Sequence, residues 1–123
     1  MKKLLLVAFA TLLAGCGGKS TGEWVEQLHS RDSAQRLHAA KALGDRGKEA
    51  PVAVPALADA LKDEDAFVRR EAAHSLGKFG PEAKPAATAL AVALRDRKPD
   101  VRKAAAQSLK DIDPEIAARV GVR

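Results

Sequence analysis

Leu57-Ala58-Asp59-Ala60-Leu61-Lys62-Asp63 is followed, after four residues, by Val68-Arg69-Arg70-Glu71-Ala72-Ala73-His74-Ser75-Leu76-Gly77. In the first stretch Leu57 and Leu61 lie one helical turn apart. In the second, Val68, Ala72, Leu76 and Phe79 fall at i, i+4, i+8 and i+11, a single helical stripe. Lys62 to Asp65 is the polar turn between them. The pair predicts a helical hairpin, with the second helix over about 66–78. Pro51 to Pro55 opens the first helix, where proline is tolerated in the first turn. Gly80-Pro81 ends the second.

Thirty-three residues in either direction the pattern returns without an insertion. Trp24, Leu57 and Leu90 form one column, and Leu28, Leu61 and Leu94 the next. Arg36, Arg69 and Arg102, then Ala39, Ala72 and Ala105, then Leu43, Leu76 and Leu109 continue it. A fixed period of this length marks a solenoid, whose units bury their apolar faces only against neighbours. The first unit diverges, with Gln35 where the others have Val68 and Val101. The segment 114–119 reads as a truncated further helix acting as a cap. No segment alternates with period two, so the expected fold is all-α: a short right-handed α-solenoid of three hairpins, over about 23–50, 51–83 and 84–116, within a domain 23–123.

Residues 1–15 read as a signal peptide. Lys2 and Lys3 precede an apolar run, Leu4 to Leu13, too short to span a bilayer. Leu13-Ala14-Gly15-Cys16 then resembles a bacterial lipobox, which implies cleavage before Cys16, a thioether-linked diacylglyceryl on its sulfur and a further acyl chain on the same residue. The alternative, a cleaved secretory signal with an incidental cysteine, leaves a lone secreted thiol to explain. Cys16 is the only cysteine, so no internal disulfide is expected. Residues 16–22 read as a lipidated cysteine and flexible tether. In lipoproteins, the absence of Asp directly after the cysteine, here Gly17, implies the outer membrane in a Gram-negative cell. The expected location is a membrane-anchored, extracytoplasmic one.

The net charge of +5 falls by two with the signal lysines, and the chain has three Phe, one Trp and no Tyr. That composition lacks the basic cluster with aromatic platforms that a nucleic-acid surface needs, so no nucleic acid is expected as a partner.

The quoted stretches resemble HEAT repeats, and within them the short subtype named after phycobilisome lyases. The resemblance covers 24–119. It implies an Asp in the turn and an Arg early in the second helix, bonded across the hairpin and to the next unit. Here these are Asp63 with Arg69 and Asp96 with Arg102. Ser30 stands at the Asp position of the first unit, which leaves the ladder unexpected at that end. The resemblance also places second helices on the concave side, where positions beside the buried stripe hold Lys41, Arg70, His74, Lys78, Lys103 and Gln107. These are the candidate binding face, set against an ordinary solvated surface.

Chemistry is sparse. His29, His38 and His74 have no metal-site spacing, so neither a metal nor another cofactor is expected beyond the lipid on Cys16. Gly44, Gly77 and Gly80 read as helix stops. Some HEAT-like proteins are lyases acting on bilins, but with a lipobox and a short array the expectation is no enzyme. The expected function is therefore a non-enzymatic scaffold or accessory subunit bound to an unidentified envelope protein. The alternative is binding of an anionic lipid headgroup or cell-wall polymer through the basic face. A lyase-like enzyme comes third.

Overall fold

A computed structural model describes residues 18–123; the signal, the lipobox and Cys16 lie outside them. The described chain is helical, with no strand among these residues. Three hairpins follow one another: α1 (Thr21–Gln27) with α2 (Ser33–Leu43), α3 (Ala50–Ala60) with α4 (Ala66–Lys78), and α5 (Ala87–Ala93) with α6 (Pro99–Ile112). A last short helix, α7 (Pro114–Arg119), packs on α6. This is the solenoid that the 33-residue period predicts, and α4 has the predicted limits.

The start differs from the reading of a tether that runs to residue 22. Ser20 accepts from the Glu23 backbone N–H while the Glu23 carboxylate accepts from the Ser20 N–H, a complete capping box that begins α1 at Thr21. Lys19 is also committed. Its carbonyl accepts from Arg46 at 2.6 Å, and its ammonium lies 4.7 Å from the centre of the Trp24 ring. The prolines differ as well. Pro55 lies inside α3, beyond the first turn. It and Pro51 are exposed, so the carbonyl deprived of a helical donor can bond to water. In the third hairpin Pro81 and Pro85 fall in a 3₁₀ segment, Gly80–Ala86, which shortens α5.

The core is one continuous cluster of the column residues. Leu43, Leu57, Leu76, Leu90 and Leu109 are fully buried, and alanines 39, 72 and 105 fill the same column in successive units. Small residues let the second helices approach closely. Ser75 donates to the Ala40 carbonyl at 2.8 Å, and Ser108 to the Ala73 carbonyl at 2.5 Å. A Cβ on Gly44 would stand 2.5 Å from the Ser75 hydroxyl, and one on Gly77 2.6 Å from that of Ser108. Gly44 and Gly77 are therefore contact sites between units, not merely helix stops. On the other side, α3 meets the next unit mainly through the 3₁₀ segment. Tighter stacking of second helices curves the array toward them.

Candidate functional site

The arginine column ties the units together, in a register different from the expected one. Arg69 Nη1 donates to the Asp63 backbone carbonyl at 2.8 Å, and Arg102 Nη1 to that of Asp96 at 2.8 Å. The carboxylates themselves go to the preceding unit. Arg36 forks onto Asp63 at 2.9 and 3.1 Å, and Arg69 onto Asp96 at 2.8 and 3.1 Å. Arg36 and Arg69 thus each clamp their own turn through main-chain oxygens and the next turn through a bidentate ion pair. The first unit, where Ser30 made the ladder unexpected, is fully engaged, because its turn needs to offer only carbonyls. Sequence spacing could not choose between partners 6 and 27 residues away; helix stacking does.

These pairs are structural. Arg69 and Asp96 side chains are 7% and 11% exposed. The Asp63 and Asp96 bonds raise the pKa of Arg36 and Arg69 despite burial. Burial pushes the Asp96 carboxyl up, but bonds from Arg69 and the Lys98 N–H outweigh it and hold it below its ordinary value.

The candidate face lies on the second helices. His74, Lys78, Lys103, Gln107 and Lys41 are exposed, and Arg70 is half-buried. Four of the six meet in one open groove of about 630 Å³ between α4 and α6: Arg70, His74, Lys103 and Gln107, joined by Glu71, Asp100 and Lys110. Lys41 and Lys78 are not in it, and Lys78 is paired with Asp45 at 3.2 Å. Lys110 was missed because its column carries glycine in the other units. Its position seven residues after Lys103, on the same face, is the signal that would have found it.

Much of the groove's charge is uncommitted. Arg70 reaches Asp100 only at 4.0 Å and lies 5.4 Å from the Phe67 ring centre. Lys103 and Lys110 have no carboxylate within 4.0 Å among the described residues. His74 adds an imidazole that can donate or accept. Such a groove can hold an anion with two or more carboxylates. A larger groove, about 1260 Å³, runs between α3 and α5, and includes the Arg69–Asp96 pair together with Lys62, Arg95 and Arg97. The α4–α6 groove is taken as the candidate site because it gathers Arg70, His74, Lys103 and Gln107, four of the six residues of the expected face.

Other sequence candidates separate. His38 packs edge-on against Trp24 at 5.1 Å. His29 lines a different depression, beside Val25 and Asp59. Among the described residues no three His, Cys, Asp or Glu side chains are grouped to hold a metal ion. No described helix is long and apolar enough to cross a membrane.

The repeating hairpins and their arginine clamps define a HEAT solenoid, and residues 22–110 match the HEAT repeats model: the chain belongs to the HEAT repeat family. Among solved structures it is similar to the complex of CpcE and CpcF of phycocyanin lyase from Nostoc sp. PCC7120. The match has 34% identity and a TM-score of 0.74, and covers 82% of this chain. The chain spans only 40% of the matched one. A comparison with curated proteins finds no match.

This overturns two expectations. A non-enzymatic scaffold and the absence of enzymatic activity are both at odds with a solved relative that is part of a phycocyanin lyase. The matched structure is also a complex of two subunits, which accords with a protein partner for this chain.

Proposed function

We propose that this chain is a lyase-like HEAT-repeat protein that binds a carboxylate-bearing chromophore of the bilin class in the α4–α6 groove and works with a second protein. One observation carries the reading: the similarity to a phycocyanin lyase complex over 82% of the chain at 34% identity. The groove supports where the ligand would sit. Arg70 and Lys103, from adjacent units, can each take a carboxylate, and a planar guanidinium beside an aromatic ring suits a flat conjugated ligand.

The test is an absorbance titration of the purified chain with biliverdin, followed by incubation with chromophore-free phycocyanin. The expected result is a saturable spectral shift and altered chromophore attachment. Arg70→Glu with Lys103→Glu should weaken binding by about a hundredfold, two charge-assisted contacts being lost, with helicity unchanged. An absent shift, or one indifferent to the double substitution, would sink the proposal.

We also propose that Cys16 carries the diacylglyceryl anchor and holds the domain at a membrane on its extracytoplasmic side, the outer membrane where the envelope has two. The lipobox at 13–16 supports this, and two or more acyl chains hold stably. Cells fed an alkyne palmitate should label the chain, and Cys16→Ser should remove label and membrane association together. Label that survives Cys16→Ser would refute the assignment.

A further inference from the structure

The chain is fastened to its fold almost as soon as the lipobox ends. The Lys19 carbonyl accepts from Arg46 at 2.6 Å, and its ammonium donates to Gln27 and lies 4.7 Å from the Trp24 ring centre. Ser20 then closes the capping box of α1. Only Gly17 and Gly18 separate Lys19 from Cys16. Even fully extended, that step spans at most about 11 Å. Gly18, at φ 79°, turns the chain in a conformation that favours glycine, which shortens the reach further. An acyl anchor on Cys16 therefore holds the start of α1 at the lipid headgroups.

The other first helices start at the same level. In the 33-residue period Lys19 shares a column with Val52 and Pro85, and all three are exposed. Val52 is 52% exposed, an apolar side chain without cover on this edge. The 3₁₀ segments that join the units, Gly47–Glu49 and Gly80–Ala86, lie along the same edge. Lys48 and Lys84 stand exposed on them with no carboxylate within 4.0 Å among the described residues. Glu49 and Glu82, equally exposed, meet no cation within that distance.

We propose that this edge, built from the starts of the first helices and the 3₁₀ segments between units, is the surface the domain lays on a zwitterionic phospholipid bilayer. The inference rests on the Cys16 anchor, and adds to it which side of the fold meets the lipid. Alternating lysine and glutamate match a headgroup layer that offers both phosphate and ammonium. Val52 sits where an apolar side chain can leave water for the interface. An edge with both signs of charge attracts a bilayer weakly, so the acyl chains hold the domain there and the short link orients it. The first helices then run away from the membrane, and the hairpin turns at 62–65 and 95–98 lie on the far side. The α4–α6 groove opens sideways and stays clear of lipid.

The test places one probe on each edge of the third hairpin. The acylated chain is purified from membranes and reconstituted into vesicles of phosphatidylcholine and phosphatidylethanolamine that carry a nitroxide-headgroup lipid. The Cys16 sulfur is blocked by its lipid, so a fluorophore labels one introduced cysteine, Lys84→Cys or Arg97→Cys. Both native residues are exposed, and neither side chain makes a hydrogen bond among the described residues. The two positions flank α5 and lie about 15–20 Å apart along it. Nitroxide quenching should be at least about threefold stronger at 84 than at 97, since it acts at close range and the helix length separates the two. A Gly/Ser spacer of about twelve residues after Gly18 lengthens the link by a coil of about 20 Å and should erase the difference. Equal quenching at both positions of floated chain, as from a solenoid standing on its end, overturns the orientation alone. A difference that survives the spacer overturns the short link as its cause. Chain that fails to float with the vesicles overturns the anchor, and this orientation with it. Circular dichroism of each variant confirms that the labelled chain keeps its helices.

Discussion

Arg69→Leu is expected to lower the unfolding free energy by about 3 kcal/mol, the cost of leaving one member of a buried pair alone. Arg69 joins three oxygen-bearing partners: the Asp96 carboxylate and the carbonyls of Asp63 and Glu64. Leucine leaves all of them short of a donor in a site that is mostly closed to water. Arg102→Leu, at an exposed copy with no carboxylate partner among the described residues, should cost about 1 kcal/mol or less. Urea unfolding of both variants checks the contrast; equal losses would mean that the fork contributes nothing beyond the carbonyl bonds.

The same pair sets an acid response. Asp96 has a folded-state pKa below its ordinary value. Its contribution is therefore complete above the unfolded carboxylate pKa, about 3.9, and is lost as pH falls through the lower folded value. In Arg69→Leu the sign changes. Burial, which raises the pKa, is no longer opposed by the guanidinium, so protonation of Asp96 relieves the variant. The gap between native and variant should narrow below about pH 5. A gap that widens on acidification would show that another group governs this limb.

Gly77→Ala is expected to destabilise by about 2 kcal/mol, against the propensity of its own helix. Alanine is favoured over glycine in a helix interior by about 1 kcal/mol. Here its Cβ would meet Ser108 at 2.6 Å from the hydroxyl and 3.2 Å from Cα. The hydroxyl cannot simply turn away, since it donates to the Ala73 carbonyl. Either that bond breaks or α4 and α6 separate, and overpacking of this kind costs about 1–3 kcal/mol. Gly47→Ala, with nothing within 4 Å of the new Cβ, is the control and should be neutral or slightly stabilising. For a domain of this size the expected melting-temperature loss at Gly77 is about 8–16 °C. A gain at Gly77 would mean that the helices are free to move apart.

Most of the fold was legible in one string. Leu57, Leu61, Val68, Ala72 and Leu76 carry the helical period, and its return every 33 residues supplies the stacking, because a unit that cannot bury its stripe alone must bury it on a copy. Ser20 and Glu23 also announced the start of α1, although the Gly-rich run before them obscured it. The groove was half legible. Arg70, His74, Lys103 and Gln107 follow from helical geometry, as Lys110 could have, but the exclusion of Lys41 and Lys78 depends on how the units stack.

What the sequence determined by itself was periodic and local: helices, turns, hairpins, and the columns that face inward. What only the tertiary structure decided was which unit each column serves. Asp63 reads as the partner of Arg69, six residues on, and is instead held by Arg36 from the unit before. Gly44 and Gly77 read as stops, and are where one helix presses on the next. The reason is physical. A repeat places the same residue at every rung, so its pattern is unchanged when partners shift by one unit. Only the offset between stacked helices, set by close contacts such as Ser75 on Ala40, fixes which carboxylate the Arg36 and Arg69 guanidiniums meet.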